Sequence, residues 1–253
     1  MKIIFLGTGT SQGIPVIACN CGACRSSSKK DKRLRSSIYI EKNSMHLVID
    51  SGPDFRQQML RENVNKLDAI LLTHEHKDHV GGLDDVRAFN FKQNKPMDVY
   101  ARKNVLEQIK KEFSYAFAKD RYPGVPEVNL HEVVNKPFEI SNISITPINV
   151  LHYKLKVYGY RISDFTYITD ASFIPDEEID KIRGSKVLIL NALRKKMHYS
   201  HFNLEQALEI IDRIKPKNAF LTHISHLMGI HDEIEKELPE NIKLAYDGLS
   251  IEL

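Results

Sequence analysis

The chain has 253 residues, 42% of them hydrophobic and 27% charged, with a formal net charge of +3. That length fits one large domain with a substantial core, and the composition excludes a disordered chain. No stretch approaches the ~20 apolar residues of a membrane span, the first apolar run is too short for a secretory signal, and the charge gives no reason by itself for a nucleic-acid partner; the reading is a cytoplasmic protein.

The first predicted strand is "IIFL" at 3–6, and a loop carrying all three cysteines follows it, in "CNCGAC" at 19–24. Three clustered cysteines make a poor disulfide framework, so metal binding is their expected use. Further short apolar runs predict buried strands: "LVI" at 47–49, "AILL" at 69–72, "DVYA" at 98–101, "YIT" at 167–169, "VLIL" at 187–190 and "AFL" at 219–221. Between them, residues 104–117 and 203–214 place apolar side chains three and four apart, as helices resting on a sheet would, and Pro216 stops the second. Strands mixed with helices predict α/β layers.

The strands end in polar residues. Asp50 follows "LVI", "THEHKDH" follows "AILL", Asp170 follows "YIT", Asn191 follows "VLIL", and "THISH" follows "AFL". In layered α/β proteins such strand ends build the site while the apolar strands hold it. Leu-Thr-His occurs twice, at 72–74 and 221–223, which hints at two related halves that each deliver a histidine. No linker or low-complexity stretch divides the chain, so residues 1–253 are read as one domain with an N-terminal zinc-binding loop at about 11–27.

"THEHKDH" holds His74, His76, Asp78 and His79 within six residues. In an extended segment His74 and His76 project the same way and can grip one ion. A tight turn after them can aim Asp78 and His79 at a second.

This segment matches the HxHxDH motif of the metallo-β-lactamase superfamily, and the remaining family residues follow in order: Asp50 before it, then His152 in "NVLHYK", Asp170 in "YITDAS" and His223 in "LTHISH". The resemblance implies a four-layer αβ/βα sandwich with a dinuclear metal site. By it, His74, His76 and His152 hold one ion, Asp78, His79 and His223 hold the other, Asp170 bridges them, and Asp50 braces the site by hydrogen bonds. Two divalent ions at the family's spacing, roughly 3.5–4 Å, turn water into a nucleophile near neutral pH. Imidazole and carboxylate ligands suit zinc, manganese or iron. Hydrolysis is the implied chemistry, with Asp78 counted among the catalytic residues.

A structural zinc takes four ligands, and Cys19, Cys21 and Cys24 supply three. His226, three residues past His223 and free of the dinuclear set, is the expected fourth. "GTGTSQGIPV…CNCGAC" together with "LTHISH" and the tail "AYDGLSIEL" resembles the phosphoribosyl 1,2-cyclic phosphate phosphodiesterases of the carbon–phosphorus lyase pathway, which carry a dinuclear site and a separate Cys3His zinc. That resemblance implies a phosphodiesterase acting on a small phosphorylated substrate, a homodimer, and catalytic assistance from His201 in "YSHFNLEQAL", with His198 ranked second.

The rival readings are a tRNA 3′-end-processing endonuclease, another hydrolase of the superfamily such as a lactamase or thioesterase, and a metal-binding protein without activity. The endonucleases usually carry His-Ser-Thr where this chain has His201-Phe202-Asn203, and the cysteine cluster is foreign to them. The basic stretches at 25–35, 87–121 and 194–196 either steer an anionic substrate or are ordinary solvated faces. Tyr115, Phe117 and Tyr122 either line the entrance to the site or pack in the core.

Overall fold

The β-branched runs become the strands of two seven-stranded sheets in a computed structural model that describes residues 1–253. The first sheet contains β1 (Lys2–Gly7), β2 (Ser37–Lys42), β3 (Met45–Ile49), β4 (Ala69–Leu71), β5 (Met97–Ala101) and β6 (Val128–Glu132) in that order. The second contains β7 (Phe138–Ile140), β8 (Ile143–His152), β9 (Leu155–Ile162), β10 (Phe165–Ile168), β11 (Val187–Asn191), β12 (Asn218–Thr222) and β13 (Ile242–Leu244), also in sequence order. The last strand, β14 (Ser250–Glu252), returns to pair antiparallel with β1. The helices are α1 (Gly22–Arg25), α2 (Phe55–Arg61), α3 (Lys77–Val80), α4 (Arg87–Gln93), α5 (Lys103–Glu112), α6 (Ser114–Phe117), α7 (Asp176–Ile182), α8 (Leu204–Ile214) and α9 (His231–Glu235).

Strand alternation produces the layers. In β3, Leu47 and Ile49 face the second sheet while Val48 faces helices; in β11, Val187 and Ile189 face the first sheet while Leu188 and Leu190 face helices. Both faces of these strands are apolar because both are covered. One core lies between the sheets, around Phe5, Ile38, Tyr160 and Phe165. A second lies under Phe55, Phe89 and Ile109, and a third under Ile179, Ile210 and Ile211. The result is the four-layer α/β/β/α sandwich expected from the sequence, in one domain.

Helix α8 shows how local sequence fixes an element. The Asn203 side chain accepts from the Gln206 amide while the Gln206 side chain accepts from the Asn203 amide, a reciprocal cap. Lys215 at φ 54 ends the helix ahead of Pro216. The helix predicted over 104–117 is instead two pieces, α5 and α6, with a turn at Phe113 (φ −104, ψ 36).

Each sheet begins with antiparallel strands and continues with parallel ones, β3 to β6 in the first and β10 to β13 in the second. The two sheets are thus related in order, but the repeated Leu-Thr-His does not mark equivalent places. It follows β4, second of its parallel set, and closes β12, third of its own. Asp50 after β3 and Asp170 after β10 do occupy equivalent places.

Candidate metal centre

The ends of β3, β4, β8, β10 and β12 meet at one edge of the sandwich, where their loops carry the motif residues. Asp50, Asp170 and His223 take φ of 68, 60 and 55. Non-glycine residues pay about 1–3 kcal/mol each for such backbone, and it persists where surrounding contacts over-determine it. The loop after Asp50 is pressed onto the histidine segment: a Cβ on Gly52 would sit 2.0 Å from the Asp78 carbonyl oxygen, so only glycine fits. The Ser51 amide donates to the His79 carbonyl oxygen at 2.8 Å.

Hydrogen bonds set how the imidazoles face. His79 Nδ1–H donates to Asp50 Oδ2 at 2.7 Å. Asp50 also accepts from the Thr73 amide (2.8 Å) and the Thr73 hydroxyl (2.9 Å). With its proton given to Asp50, the Thr73 oxygen accepts from His74 Nδ1–H at 2.9 Å. His152 Nδ1–H donates to the Ser200 carbonyl oxygen at 2.7 Å. In all three rings the neutral form therefore keeps its proton on Nδ1 and leaves the Nε2 lone pair for a cation, which for His79 would take the place of a proton. His74 Nε2 and His79 Nε2 are buried with no hydrogen-bond partner.

Asp170 is the meeting point. The ligand atoms of His74, His79 and Asp170 lie within 4.8 Å of one another, and so do those of His152, Asp170 and His201. His79 Nε2 is 3.2 Å from both Asp78 Oδ2 and Asp170 Oδ2, and His223 Nδ1 is 3.2 Å from Asp170 Oδ2. The His76 ring lies 4.6 Å from that of His74 and 5.2 Å from that of His152. All seven expected ligands thus converge. The His74 ring lies 4.2 Å from that of His79, and His201 joins His152 and Asp170 in the second group.

Burial dominates the electrostatics. It pushes His74 well below the ordinary imidazole range, with the neighbouring His79 adding to the effect. Burial would also lower His79, but Asp170, Asp78 and Asp50 outweigh it and hold that ring well above the range. Asp170 is raised by burial and pulled well below the carboxylate range by His223 and His79. His201 is pushed down to about 3, by burial first and by the nearby imidazoles His223, His152 and His198, against the pull of Asp170. Orphaned buried Nε2 atoms and crowded carboxylates are costly without a cation between them. The donor set therefore fits divalent metal ions.

A second cluster joins the two ends of the chain. Cys19, Cys21, Cys24 and His226 place their ligand atoms within 4.8 Å of one another, with His226 Nδ1 3.2 Å from Cys19 Sγ and 3.3 Å from Cys21 Sγ. The Cys24 backbone amide lowers Cys21 to about 6, while burial raises Cys24 to about 11. All three cysteines are free thiols, and three sulfurs with one imidazole fit zinc.

Thr73, Thr169 and Ser200, which the sequence reading passed over, position the centre: Thr169 Oγ1–H donates to Asp170 Oδ2 at 2.7 Å, and the other two act as described above. Asn191 clamps the Asp170 loop by accepting from the Ala171 amide and donating to its carbonyl oxygen. Each acts through a backbone group or a neighbour, which leaves no motif. His198 accepts from the Ser200 amide at 3.3 Å. The steering reading of residues 25–35 is corrected for Arg33 and Arg35, whereas Arg25 is exposed. Arg33 is buried and donates to Thr8 Oγ1 and the Ala245 carbonyl oxygen, and Arg35 pairs with Asp54 at 2.9 Å. Tyr115 and Tyr122 are exposed, and Phe117 packs at the edge of the helical core. No helix is long and apolar enough to cross a membrane.

Residues 46–224 match the family described as the Beta-lactamase superfamily domain. The chain belongs to that superfamily and has the metallo-β-lactamase fold. A crystal structure of a diphosphatase from the PhnP family is 38% identical and superposes with a TM-score of 0.93, covering 100% of this chain and 97% of that one. A Porphyromonas gingivalis protein named octanoyltransferase is 41% identical over 252 residues, or 98% of this chain. The chain spans about half of that relative, 51%. Zn(2+)-bound PqqB from Methylobacterium extorquens, 19% identical over 100% of both chains with a TM-score of 0.81, shares the fold.

Proposed function

We propose that the protein is a metal-dependent phosphodiesterase that hydrolyses a small cyclic phosphate or phosphodiester, with phosphoribosyl 1,2-cyclic phosphate as the first substrate to test. The observation that carries this reading is the coexistence in one chain of two separate metal-type clusters, one of histidines and carboxylates around Asp170 and one of Cys19, Cys21, Cys24 and His226. Likeness to a PhnP-family diphosphatase supports phosphorus as the reacting centre.

In this reading His74, His76, Asp78, His79, His152, Asp170 and His223 hold two divalent ions, zinc or manganese with iron as a further candidate, and the cysteine cluster holds a structural zinc. Bound divalent ions would supply an activated water and neutralise charge on the phosphoryl oxygens. The chain's own residues do the positioning. Asp50 fixes His79, the Ser200 carbonyl fixes His152, and Asn191 fixes the backbone beside Asp170. His201, neutral and with a buried Nδ1 lacking a partner, is placed to hold a phosphoryl oxygen by a hydrogen bond from its ring N–H. A homodimer is part of the same proposal.

The test is hydrolysis of bis-p-nitrophenyl phosphate and of 5-phosphoribosyl 1,2-cyclic phosphate, with Mn²⁺ or Zn²⁺ supplied. Turnover of the cyclic sugar phosphate in strong preference to the diester supports the full reading. Turnover of the diester alone keeps the chemistry and removes the sugar. Turnover of neither overturns it.

A further inference from the structure

The rings of the metal centre continue outward to the surface. His201 stacks on His223 with centroids 4.9 Å apart and planes at 22°. His198 lies 5.2 Å beyond His201, and Tyr199 stacks on His198 at 4.6 Å and 25°. Tyr153 meets Tyr199 edge to face at 5.7 Å, and Lys154 Nζ sits 5.3 Å over the Tyr153 ring. Tyr199 is 74% exposed and Tyr153 55%, so the core does not account for either position.

Two features show that these rings are held where they are. Tyr153 opens the two-residue turn between the paired residues His152 and Leu155 and adopts φ 56. Glycine or asparagine takes that backbone at lower cost than an aromatic residue. The loop that presents Tyr199 is braced from within: Arg194 donates to the Lys196 carbonyl oxygen at 3.2 Å and to that of Met197 at 2.9 Å, and Asn203 Nδ2 donates to that of Lys195 at 3.1 Å. A ring whose burial is normally favourable is thus fixed outward beside the reacting centre.

We propose that Tyr199 and Tyr153 form a stacking site for the base of a nucleoside phosphate, so that the substrate is a ribosyl cyclic phosphate or diester whose anomeric carbon bears an aromatic ring. The proposal rests on the phosphodiesterase reading for the reacting phosphate and departs from it in the sugar: a base on the anomeric carbon replaces the 1-oxygen, so the reacting phosphate joins other ribose oxygens than those of the 1,2-cyclic compound. A bare sugar phosphate has no flat face to cover either ring, whereas every base has one. Lys154, over the Tyr153 ring, leaves this rim cationic, which suits the phosphates of a nucleotide; Lys195 is paired with Glu237 at 2.6 Å. In the hydrolysis, the water oxygen bonds to phosphorus as one ribose O–P bond breaks, and the released ribose oxygen takes up a proton to leave as a hydroxyl.

The test is calorimetric titration of AMP and of ribose 5-phosphate into the metal-loaded full chain, for the wild type and for Tyr199→Ala, Tyr199→Phe and Tyr153→Ala. AMP is expected to bind about tenfold or more tightly than ribose 5-phosphate, from the typical strength of base–aromatic stacking. Tyr199→Ala should lose about that factor for AMP and leave ribose 5-phosphate unchanged; Tyr199→Phe should retain it; Tyr153→Ala should lose part of it. Equal affinities in the wild type, or AMP affinity unmoved in Tyr199→Ala, overturns the stacking site. Turnover of bis-p-nitrophenyl phosphate, measured in parallel, separates the two ideas. Its absence overturns the phosphodiesterase reading; its presence without AMP selectivity overturns the stacking site alone.

Discussion

Asp50 Oδ2 accepts from His79 Nδ1 at 2.7 Å, and neither side chain reaches solvent. The bond commits the proton of His79 to one nitrogen and turns the other toward Asp78 and Asp170. Asp50→Asn should therefore lower affinity at the centre by about 10- to 100-fold, the usual cost of losing a partner behind a metal-binding histidine. Competition with a zinc chelator checks this. Unchanged affinity with an unchanged circular dichroism spectrum would remove Asp50 from the centre.

His76 is exposed and lies outside the apolar cores, so metal-free His76→Ala should unfold at nearly the temperature of metal-free wild type, while hydrolysis after reloading is abolished. The measurement is turnover after stripping and controlled reloading with metal. Full activity in that protein would sink the ligand assignment.

Cys21→Ser should remove about one zinc per chain and lower the melting temperature, because metal bound only by the folded state stabilises it. Elemental analysis and a thermal melt on the same sample decide the matter. Wild-type metal content in the variant excludes a Cys3His site.

His201 shares a cluster with His152 and Asp170, whereas His198 lies one ring further out. His201→Ala should lower kcat by about 10²- to 10³-fold with both centre metals retained, and His198→Ala should do far less. Loss of a metal in His201→Ala would make that residue a ligand instead of an assisting group.

Asp247, buried beside β1, accepts from the Leu34 amide at 2.7 Å and the Thr8 hydroxyl at 2.8 Å, yet burial still pushes its carboxyl up to about 6. The unfolded chain releases that proton near the ordinary aspartate value, about 3.9. Between these values the folded state binds more protons, so the site's contribution to stability is largest below about pH 4 and is lost as pH rises toward 6. Asp247→Asn abolishes this slope. Urea unfolding of metal-free protein should show the variant gaining on the wild type by up to about 3 kcal/mol between pH 4 and pH 7. A constant difference across that range would contradict the elevated carboxyl.

The parts of the molecule legible in the sequence are those where one residue type does one job. Strands such as β11 are apolar throughout because they are covered twice, and the residues at their ends are the ones the structure brings together. His74, His79 and Asp170 could be picked out because ligand chemistry restricts the residue types that serve. Thr73 and Ser200 could not, since a hydroxyl or a backbone carbonyl that orients a histidine is indistinguishable in sequence from many that orient nothing. Arg33 and Arg35 misled for the converse reason: charge patterns mark solvent or ligands only when the side chain is not paired inside. The break at Phe113 left no periodic signal, because apolar spacing continues through it into α6.

The bond between Cys19–Cys24 and His226 has a consequence for how the protein comes into being. Cys19 and His226 are 207 residues apart in the chain, and His226 lies on the loop that also carries His223. A nascent chain thus grows by 207 residues after Cys19 before its thiols meet their imidazole. Both clusters draw a histidine from one short segment, the end of β12 and the loop behind it, so neither can close before that segment docks.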